Sequence, residues 1–249
     1  MFMLSSTLPF LHLMSIEPAN EGPGLDIRFE QAEARFEGRT VLHPLTLSLT
    51  ERRIGVIGLN GSGKTTFARM INGLVLPAAG RVSVDGFDTS KDGDQVRALA
   101  GFIFQNPQNQ IVLPILKEDI ALGLSTRKLS KTEKEAAVSG ILARFGIQHL
   151  ADRRVHELSG GELQLAALAS VLVTKPEILI MDEPTNQLDL RNRGLVEKTI
   201  YGLEENILVI THDLDLIDGF DRVLCFHEGR LAADGLPGDV IARYRKIAA

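Results

Sequence analysis

The glycine-rich segment at residues 58–65 constrains the fold of this chain more than any other feature. It reads GLNGSGKT and fits the pattern G-x-x-x-x-G-K-[ST], in which small residues let backbone N–H groups close around phosphate oxygens. Residues 53–57 (RIGVI) precede it and predict a buried strand, and residues 65–74 predict a helix. The segment therefore predicts a phosphate loop in which the helix N-terminus and Lys64 face the phosphates and Thr65 holds Mg²⁺.

Strands and helices alternate along the rest of the chain. Alternating or continuously apolar runs predict strands within residues 25–49, 53–57, 81–104, 176–181 and 206–210. Residues 115–173 are rich in Ala, Leu, Lys and Glu and predict helices, and a further helix is predicted near 190–203. The pattern favours an α/β fold with a mostly parallel P-loop sheet, antiparallel β strands at its N-terminal side and an inserted α-helical subdomain at about residues 106–173.

Composition excludes several classes of protein. The chain has 249 residues, of which 44% are hydrophobic and 24% are charged, which is typical of a globular domain rather than a disordered chain. Its net charge of −5 indicates no nucleic-acid-binding surface, and no apolar run is long enough for a membrane-spanning helix. The single cysteine, Cys225, has no intramolecular disulfide partner and is expected in the core of a late strand.

Residues 1–24 are expected to be a flexible lead-in to one domain that covers residues 25–249. The first 16 residues are apolar, but no Lys or Arg precedes Arg28 and no small-residue cleavage site follows, so a signal peptide is not favoured. Translation starts at Met1 or at Met14, and the sequence leaves both open.

Two further segments bear on phosphate chemistry. Residues 178–183 (ILIMDE) end an apolar strand in two carboxylates. We expect this strand to neighbour the phosphate loop, so that Asp182 holds Mg²⁺ and Glu183 polarises an attacking water.

Residues 158–162 (LSGGE), here called the signature turn, precede a predicted helix, with Ser159 as a natural N-cap and two glycines that leave the backbone open to an anion.

Together these segments resemble the nucleotide-binding subunit of ATP-binding cassette (ABC) transporters over about residues 25–245. The resemblance rests on the order of five motifs, which are the phosphate loop, Gln105 after a strand, the signature turn, ILIMDE, and residues 211–213 (THD) after a strand. It implies an ATPase with a P-loop (RecA-like) core that uses ATP and Mg²⁺. It also implies a second cassette, because in this family ATP lies between the phosphate loop of one cassette and the signature of the other.

The same resemblance gives each site residue an expected role. The expected catalytic residues are Glu183, His212, Gln105 and Asp189, the last in a D-loop at residues 186–189 (NQLD), and the expected Mg²⁺ ligands are Thr65, Gln105 and Asp182. The expected ATP-binding residues are Phe36, Gly58, Leu59, Asn60, Gly61, Ser62, Gly63, Lys64, Thr65, Thr66, Ser159, Gly160, Gly161 and Glu162, with Phe36 stacked on adenine. Glu162 stands where the usual signature has Gln. Its carboxylate either weakens ATP binding or is turned away, and the sequence leaves both open.

Residues 105–111 (QNPQNQI) indicate one group within the family. They resemble the FQNPxxQ segment of energy-coupling-factor (ECF) importers, in which a short helix after Gln105 carries a second glutamine, here Gln110. The resemblance implies a peripheral subunit at the cytoplasmic face of the inner cell membrane, paired with a second cassette, with a homodimer favoured. A transmembrane coupling protein and a small substrate-capture membrane protein are its other implied partners. A vitamin is the expected solute, biotin first, with cobalt or nickel importers next.

Two alternatives share every expected catalytic residue. A conventional ABC transporter ATPase would differ in its membrane partner. A soluble ABC ATPase, such as an iron–sulfur assembly factor, would have soluble partners. No nucleic-acid partner is expected, because the insert between Thr65 and Leu158 lacks the sustained heptads of the coiled coils in DNA-repair members.

Overall fold

The computed structural model describes residues 25–249, so the predicted lead-in and both candidate start sites lie outside the described residues. The strands in this range are β1 (Ile27–Phe36), β2 (Arg39–Leu49), β3 (Arg53–Gly58), β4 (Ala79–Val84), β5 (Phe87–Asp88), β6 (Ala100–Ile103), β7 (Ile178–Asp182), β8 (Asn206–Ile210), β9 (Arg222–His227) and β10 (Arg230–Gly235). The α-helices are α1 (Lys64–Ile71), α2 (Gly93–Leu99), α3 (Leu116–Leu122), α4 (Lys131–Arg144), α5 (Gly160–Leu172), α6 (Leu190–Tyr201), α7 (Leu214–Ile217) and α8 (Pro237–Ala248).

A six-stranded sheet in the order β10-β9-β3-β8-β7-β6 forms the centre of the molecule. All its pairings are parallel except that of β10 with β9. Strands β3, β7 and β8 are almost wholly buried, because helices cover both faces of a parallel sheet. The mostly parallel P-loop sheet predicted from the sequence is confirmed.

The expectation that the ILIMDE strand neighbours the phosphate loop is wrong, because β8 lies between β3 and β7. Hydrophobic patterning identifies the strands but does not fix their order in the sheet. The consequence for Asp182 is nevertheless small. It pairs with Ile210 at the end of β8, and the carboxyl ends of parallel strands meet at one edge of the sheet.

A second, antiparallel sheet in the order β2-β1-β4-β5 contains the N-terminal strands, as predicted. Helix α1 joins the two sheets through the buried ring of Phe67. This ring stacks on Phe29 of β1 at a centroid distance of 4.8 Å and lies 4.9 Å from Phe226 of β9. The helix that follows the phosphate loop is therefore fixed from both sides by aromatic packing.

The region between β6 and β7 is the inserted helical subdomain. Helices α3, α4 and α5 share a core. One 3-10 helix precedes α3, at Pro107–Asn109, and two lie between α4 and α5, at Gln148–Leu150 and Val155–Glu157. A bidentate pair ties this subdomain to the sheet: Arg144 Nη1 and Nη2 donate to the two oxygens of Glu205, just before β8, over 2.8 and 2.9 Å.

Three helices are missing from the sequence prediction, and they are α2, α7 and α8. Residues 81–104 predict short strands only, but α2 (Gly93–Leu99) lies within them. Val96 is the single buried residue of helix α2, so the sequence carries no helical repeat of apolar residues there.

Cys225 is buried in β9, as expected. Within residues 25–249, no helix has both the length and the apolar character needed to cross a bilayer.

Candidate functional site

The phosphate loop turns sharply between β3 and α1. Gly58 has φ 149°, and a Cβ atom at this position would lie 2.2 Å from the carbonyl oxygen of Phe226. Gly63, at the N-cap of α1, has φ 98°, and its Cβ would lie 3.0 Å from the carbonyl oxygen of Val41. Both positions therefore require glycine, which leaves the N-terminus of α1 accessible to an anion.

A cleft of about 330 Å³ lies against this loop, and we call it the phosphate cleft. Its lining residues come from β2, from the phosphate loop and the start of α1, from the segments at the ends of β7 and β8 and from the segment after β6. They are Val41, Asn60, Gly61, Ser62, Gly63, Lys64, Thr65, Thr66, Gln105, Asp182, Glu183, Asn186, Ile210 and His212. The fold thus brings together the three expected Mg²⁺ ligands and three of the four expected catalytic residues. No sequence motif identifies Val41 or Ile210 as cleft residues. Asn186 could have been identified, because it is the first residue of the D-loop segment.

Lys64 places a positive charge in the buried floor of the phosphate cleft. Its Nζ donates to the carbonyl oxygens of Gly58 and Leu59 over 2.8 and 3.0 Å. Burial lowers the pKa of Lys64, and the carboxylates of Glu183 and Asp182 oppose this shift. An ammonium held among two carboxylates and the loop backbone is suited to bind the outer phosphates of a nucleotide.

Two adjacent carboxyl groups enter the cleft where β7 ends. Burial raises the pKa of Asp182, opposed by a hydrogen bond from Thr65 and the charges of Arg69 and Lys64. Burial also raises the pKa of Glu183. Glu183 has φ 51°, a left-handed conformation that costs a non-glycine residue about 1 kcal/mol or more. This unfavourable backbone turns the Glu183 carboxyl group into the cleft.

His212, directly after Thr211 at the end of β8, contacts two other cleft residues. Its Nε2 lies 3.2 Å from Glu183 Oε1 and 3.1 Å from Asn60 Oδ1. Burial and the charge of Lys64 lower the pKa of His212, so its ring is neutral at pH 7. Because both neighbouring atoms are acceptors, the proton of the neutral ring belongs on Nε2.

The donor set of the cleft fits Mg²⁺. Thr65, Gln105 and Asp182 supply a hydroxyl, an amide oxygen and a carboxylate, and oxygen atoms are the ligands that this hard cation prefers. Residues 25–249 contain no group of three or more His, Cys, Asp or Glu side chains that would form an all-protein metal cage.

The segment after Gln105 is held by two side chains. Gln110 Oε1 accepts a hydrogen bond from the backbone N–H of Phe104 at 3.4 Å. Asp119 of α3 is buried, and its Oδ1 accepts from the backbone N–H groups of Val112 and Leu113 over 2.7 and 2.9 Å. No sequence motif identifies this role of Asp119, which connects the Gln105 segment to the helical subdomain.

The signature turn forms a capping box at the start of α5. Ser159 is the N-cap, and its Oγ accepts from the backbone N–H of Glu162 at 3.4 Å. Glu162 Oε2 accepts from the backbone N–H and the hydroxyl of Ser159 over 2.8 and 2.7 Å, and these hydrogen bonds lower the pKa of Glu162. The Glu162 carboxylate is therefore turned onto its own helix end, and its effect on ATP binding stays a prediction.

Besides Gly58 and Leu59, three expected site elements do not line the phosphate cleft of their own chain. The signature turn, at residues 158–162, is absent from its lining. Phe36, at the end of β1, is 47% exposed and also lies outside the lining. Asp189 is the N-cap of α6, where its Oδ1 accepts from the backbone N–H of Asn192 at 2.8 Å. The catalytic role of Asp189 and the adenine contact of Phe36 stay predictions.

Comparisons with known proteins agree with this geometry. The family model described as ABC transporter matches residues 42–186, which include the phosphate loop, Gln105, the signature turn and the carboxylates after β7. The chain is 66% identical to the biotin transport ATP-binding protein BioM of Rhizobium etli, over 90% of this chain and 100% of that protein. It is 37% identical to the energy-coupling factor transporter ATP-binding protein EcfA1 of Halalkalibacterium halodurans, over 79% of this chain and 72% of that protein.

A solved structure has the same fold. The structure of cbiO1 from Clostridium perfringens, described as part of the ABC transporter complex cbiONQ, superposes with a TM-score of 0.77 at 32% identity. The match covers 89% of this chain and 93% of that one. With its phosphate cleft and its relatives, the chain belongs to the ABC transporter family, whose ATP-binding proteins bind nucleotide and hydrolyse ATP to drive transport.

Proposed function

We propose that this chain is the ATP-hydrolysing subunit of an ECF-type importer and that the imported solute is biotin. The observation that carries the ATPase role is the contact of Glu183 with His212 in a cleft that also holds the phosphate loop. Lys64, the loop backbone and the N-terminus of α1 bind the phosphates of ATP, and Phe36 stacks on its adenine ring.

Hydrolysis in this proposal is an in-line attack of water on the γ-phosphorus. Glu183 accepts a proton from the water, and its burial raises the pKa towards the range of an effective base. A bond forms from the water oxygen to phosphorus, and the bond to the ADP oxygen breaks. The neutral ring of His212 donates from Nε2 to the Glu183 carboxylate, which orients that base in the cleft.

Magnesium completes this set of charges. Thr65, Asp182 and Gln105 are the residues that would hold Mg²⁺, which neutralises charge on the phosphate oxygens when it is bound. The chain itself contributes the positions of these side chains at one edge of the sheet, where the phosphate loop, β7 and the segment after β6 meet.

A second cassette supplies the other half of each ATP site. The absence of the signature turn from the cleft of its own chain supports this arrangement, because the turn is then available to a nucleotide on a partner. The N-terminus of α5 offers free backbone N–H groups there, since the capping box satisfies only some of them. A homodimer is the form we propose, with Asp189 acting near the dimer contact.

The names of two relatives support the assignment of partners and solute. One is a biotin transport ATP-binding protein and another belongs to an energy-coupling factor transporter. The second glutamine of the QNPQNQI segment, Gln110, holds the backbone after β6 as described above. We therefore propose a peripheral location at the cytoplasmic face of the inner membrane, with a transmembrane coupling protein and a small substrate-capture protein.

Identification of the bound membrane proteins tests this proposal. The tagged chain is purified from native membranes in mild detergent, with the Lys91→Ala variant as a matched surface control, and its partners are identified by mass spectrometry. The expected result is two unlike membrane proteins, of which the smaller one binds biotin. A small protein that binds cobalt or nickel would change the solute, and a paired permease would indicate a conventional importer. Soluble partners alone would contradict a transport role.

A further inference from the structure

The first turn of α6 contacts the signature turn. A Cβ atom on Gly161 would lie 2.2 Å from Oδ1 and 2.6 Å from Cγ of Asn192, which stands on this turn of α6. Leu188, just before α6, packs against Gly160. A Cβ atom on Gly160 would lie 3.5 Å from Leu188 Cδ2. The two signature glycines therefore form the surface on which the start of α6 rests.

Asn192 is held in one orientation. Its Nδ2 donates to Asp189 Oδ2 at 3.0 Å, and its backbone N–H donates to Asp189 Oδ1 at 2.8 Å. A carboxylate only accepts hydrogen bonds, so the amide nitrogen must face Asp189 and the amide oxygen must face Gly161. The side chain thus bridges the D-loop and the signature turn in a fixed geometry.

The residue after Asn192 connects the same turn of α6 to the phosphate cleft. The guanidinium of Arg193 forms an ion pair with the carboxylate of Asp213. Asp213 follows His212, whose ring contacts Glu183. Consecutive residues of α6 therefore contact the signature turn on one side and the neighbour of the cleft histidine on the other.

We infer that Asn192 is a positioning residue that fixes the signature turn relative to the phosphate cleft of its own chain. The inference rests on the proposed function, in which the signature turn of each cassette completes the ATP site of its partner. A rigid contact between the two elements transmits the state of one ATP site to the other, so hydrolysis becomes cooperative. Loss of the contact uncouples the two sites and leaves each phosphate loop intact.

The test compares the full-length wild type with Asn192→Ala and with Lys198→Ala, an exposed position at the far end of α6. Steady-state ATP hydrolysis gives kcat and the Hill coefficient, and titration with a fluorescent ATP analogue gives Kd. We expect Asn192→Ala to lower kcat about tenfold and to bring a Hill coefficient above 1 down to about 1, with Kd changed by less than about twofold. Lys198→Ala should match the wild type in all three quantities.

A second variant separates positioning from folding. Asn192→Leu keeps the approximate size of the side chain, is a good helix former and adds no charge beside Asp189 Oδ2, which lies 3.0 Å from Asn192 Nδ2. It removes the donor to Asp189, so we expect the Hill coefficient to fall although the melting temperature stays near that of the wild type. A wild-type Hill coefficient in both variants would overturn the inference. So would a weaker affinity for the ATP analogue together with a lower melting temperature in both variants.

Failure of the inference is distinguishable from failure of the proposed function. A wild type that hydrolyses ATP with a Hill coefficient of 1 would overturn the role of Asn192 and leave the ATPase assignment standing. A wild type that does not hydrolyse ATP would overturn both.

Discussion

His212 contacts both oxygens of the Glu183 carboxylate. Its ring Nε2 lies 3.2 Å from Oε1, and its backbone N–H donates to Oε2 over 3.2 Å. The two residues come from the ends of different strands, β7 and β8, which pair in parallel register up to Asp182 and Ile210. The register of the sheet therefore sets the position of the group that we propose as the general base.

Glu183→Gln removes the proposed base and keeps the shape of the side chain. We expect hydrolysis to fall by roughly 100-fold or more, because a positioned general base contributes that much to rate. ATP binding should persist and the closed dimer should accumulate, which size-exclusion chromatography with ATP measures. Glu177→Gln, at the other end of β7, is the control. Near-normal turnover in Glu183→Gln would remove Glu183 from this role.

Lys64→Ala removes the buried ammonium that donates to Gly58 and Leu59. Hydrogen bonds to charged groups contribute about 1.5 to 3 kcal/mol, so we expect the Kd for ATP to rise roughly 10- to 100-fold. Isothermal titration measures this, with Lys91→Ala as a control on the surface. Retained affinity would contradict the assignment of residues 58–65 as the phosphate loop.

Phe36→Ala tests the adenine contact, which the geometry of the single chain leaves open. Stacking on a base is worth about 1 to 3 kcal/mol, so we expect the KM for ATP to rise about tenfold with little change in stability. Phe87, which is 38% exposed on β5, offers a matched control as Phe87→Ala. Equal KM values for both variants would assign Phe36 to the surface of the N-terminal sheet.

Glu205→Gln tests the link between the helical subdomain and the sheet. Burial acts to raise the pKa of Glu205, but the hydrogen bonds and charge of Arg144 lower it overall. Because the folded-state pKa is the lower one, the contribution to stability is complete above the unfolded pKa of about 4.3 and disappears as the pH falls through the folded value.

We therefore expect Glu205→Gln to lower the free energy of unfolding by roughly 1 kcal/mol at pH 7 and by almost nothing at about pH 3. Urea unfolding at several pH values measures the difference. Glu204→Gln, at the exposed neighbouring position, should show no such dependence. A loss for Glu205→Gln that is the same at both pH values would rule out the charge of Glu205 as its source.

Much of the fold was predictable because its strongest signals are local. The phosphate loop, the capping residue Ser159 and the buried β7 each depend on a few consecutive residues. The position of β7 beyond β8 was not predictable, because strand order depends on contacts between distant segments. Helix α2 was missed since it buries only Val96.

The candidate site divides in the same way. Motifs identify the cleft residues Lys64, Glu183 and His212, whose spacing along the chain is distinctive. The contact of Asn192 with Gly161 has no motif, because it arises only when α5 and α6 pack together. The orientation of Glu162 could be seen only in the structure, where its carboxylate accepts hydrogen bonds from Ser159 at the start of α5.

Uptake of labelled biotin into vesicles tests the central claim most directly. Vesicles carrying the complex of this chain with its membrane partners are loaded with ATP on the side of the cassettes, and wild type is compared with Glu183→Gln. Our account predicts ATP-dependent accumulation with the wild type and only stoichiometric capture with Glu183→Gln. Equal accumulation with both, or none with the wild type, would contradict it.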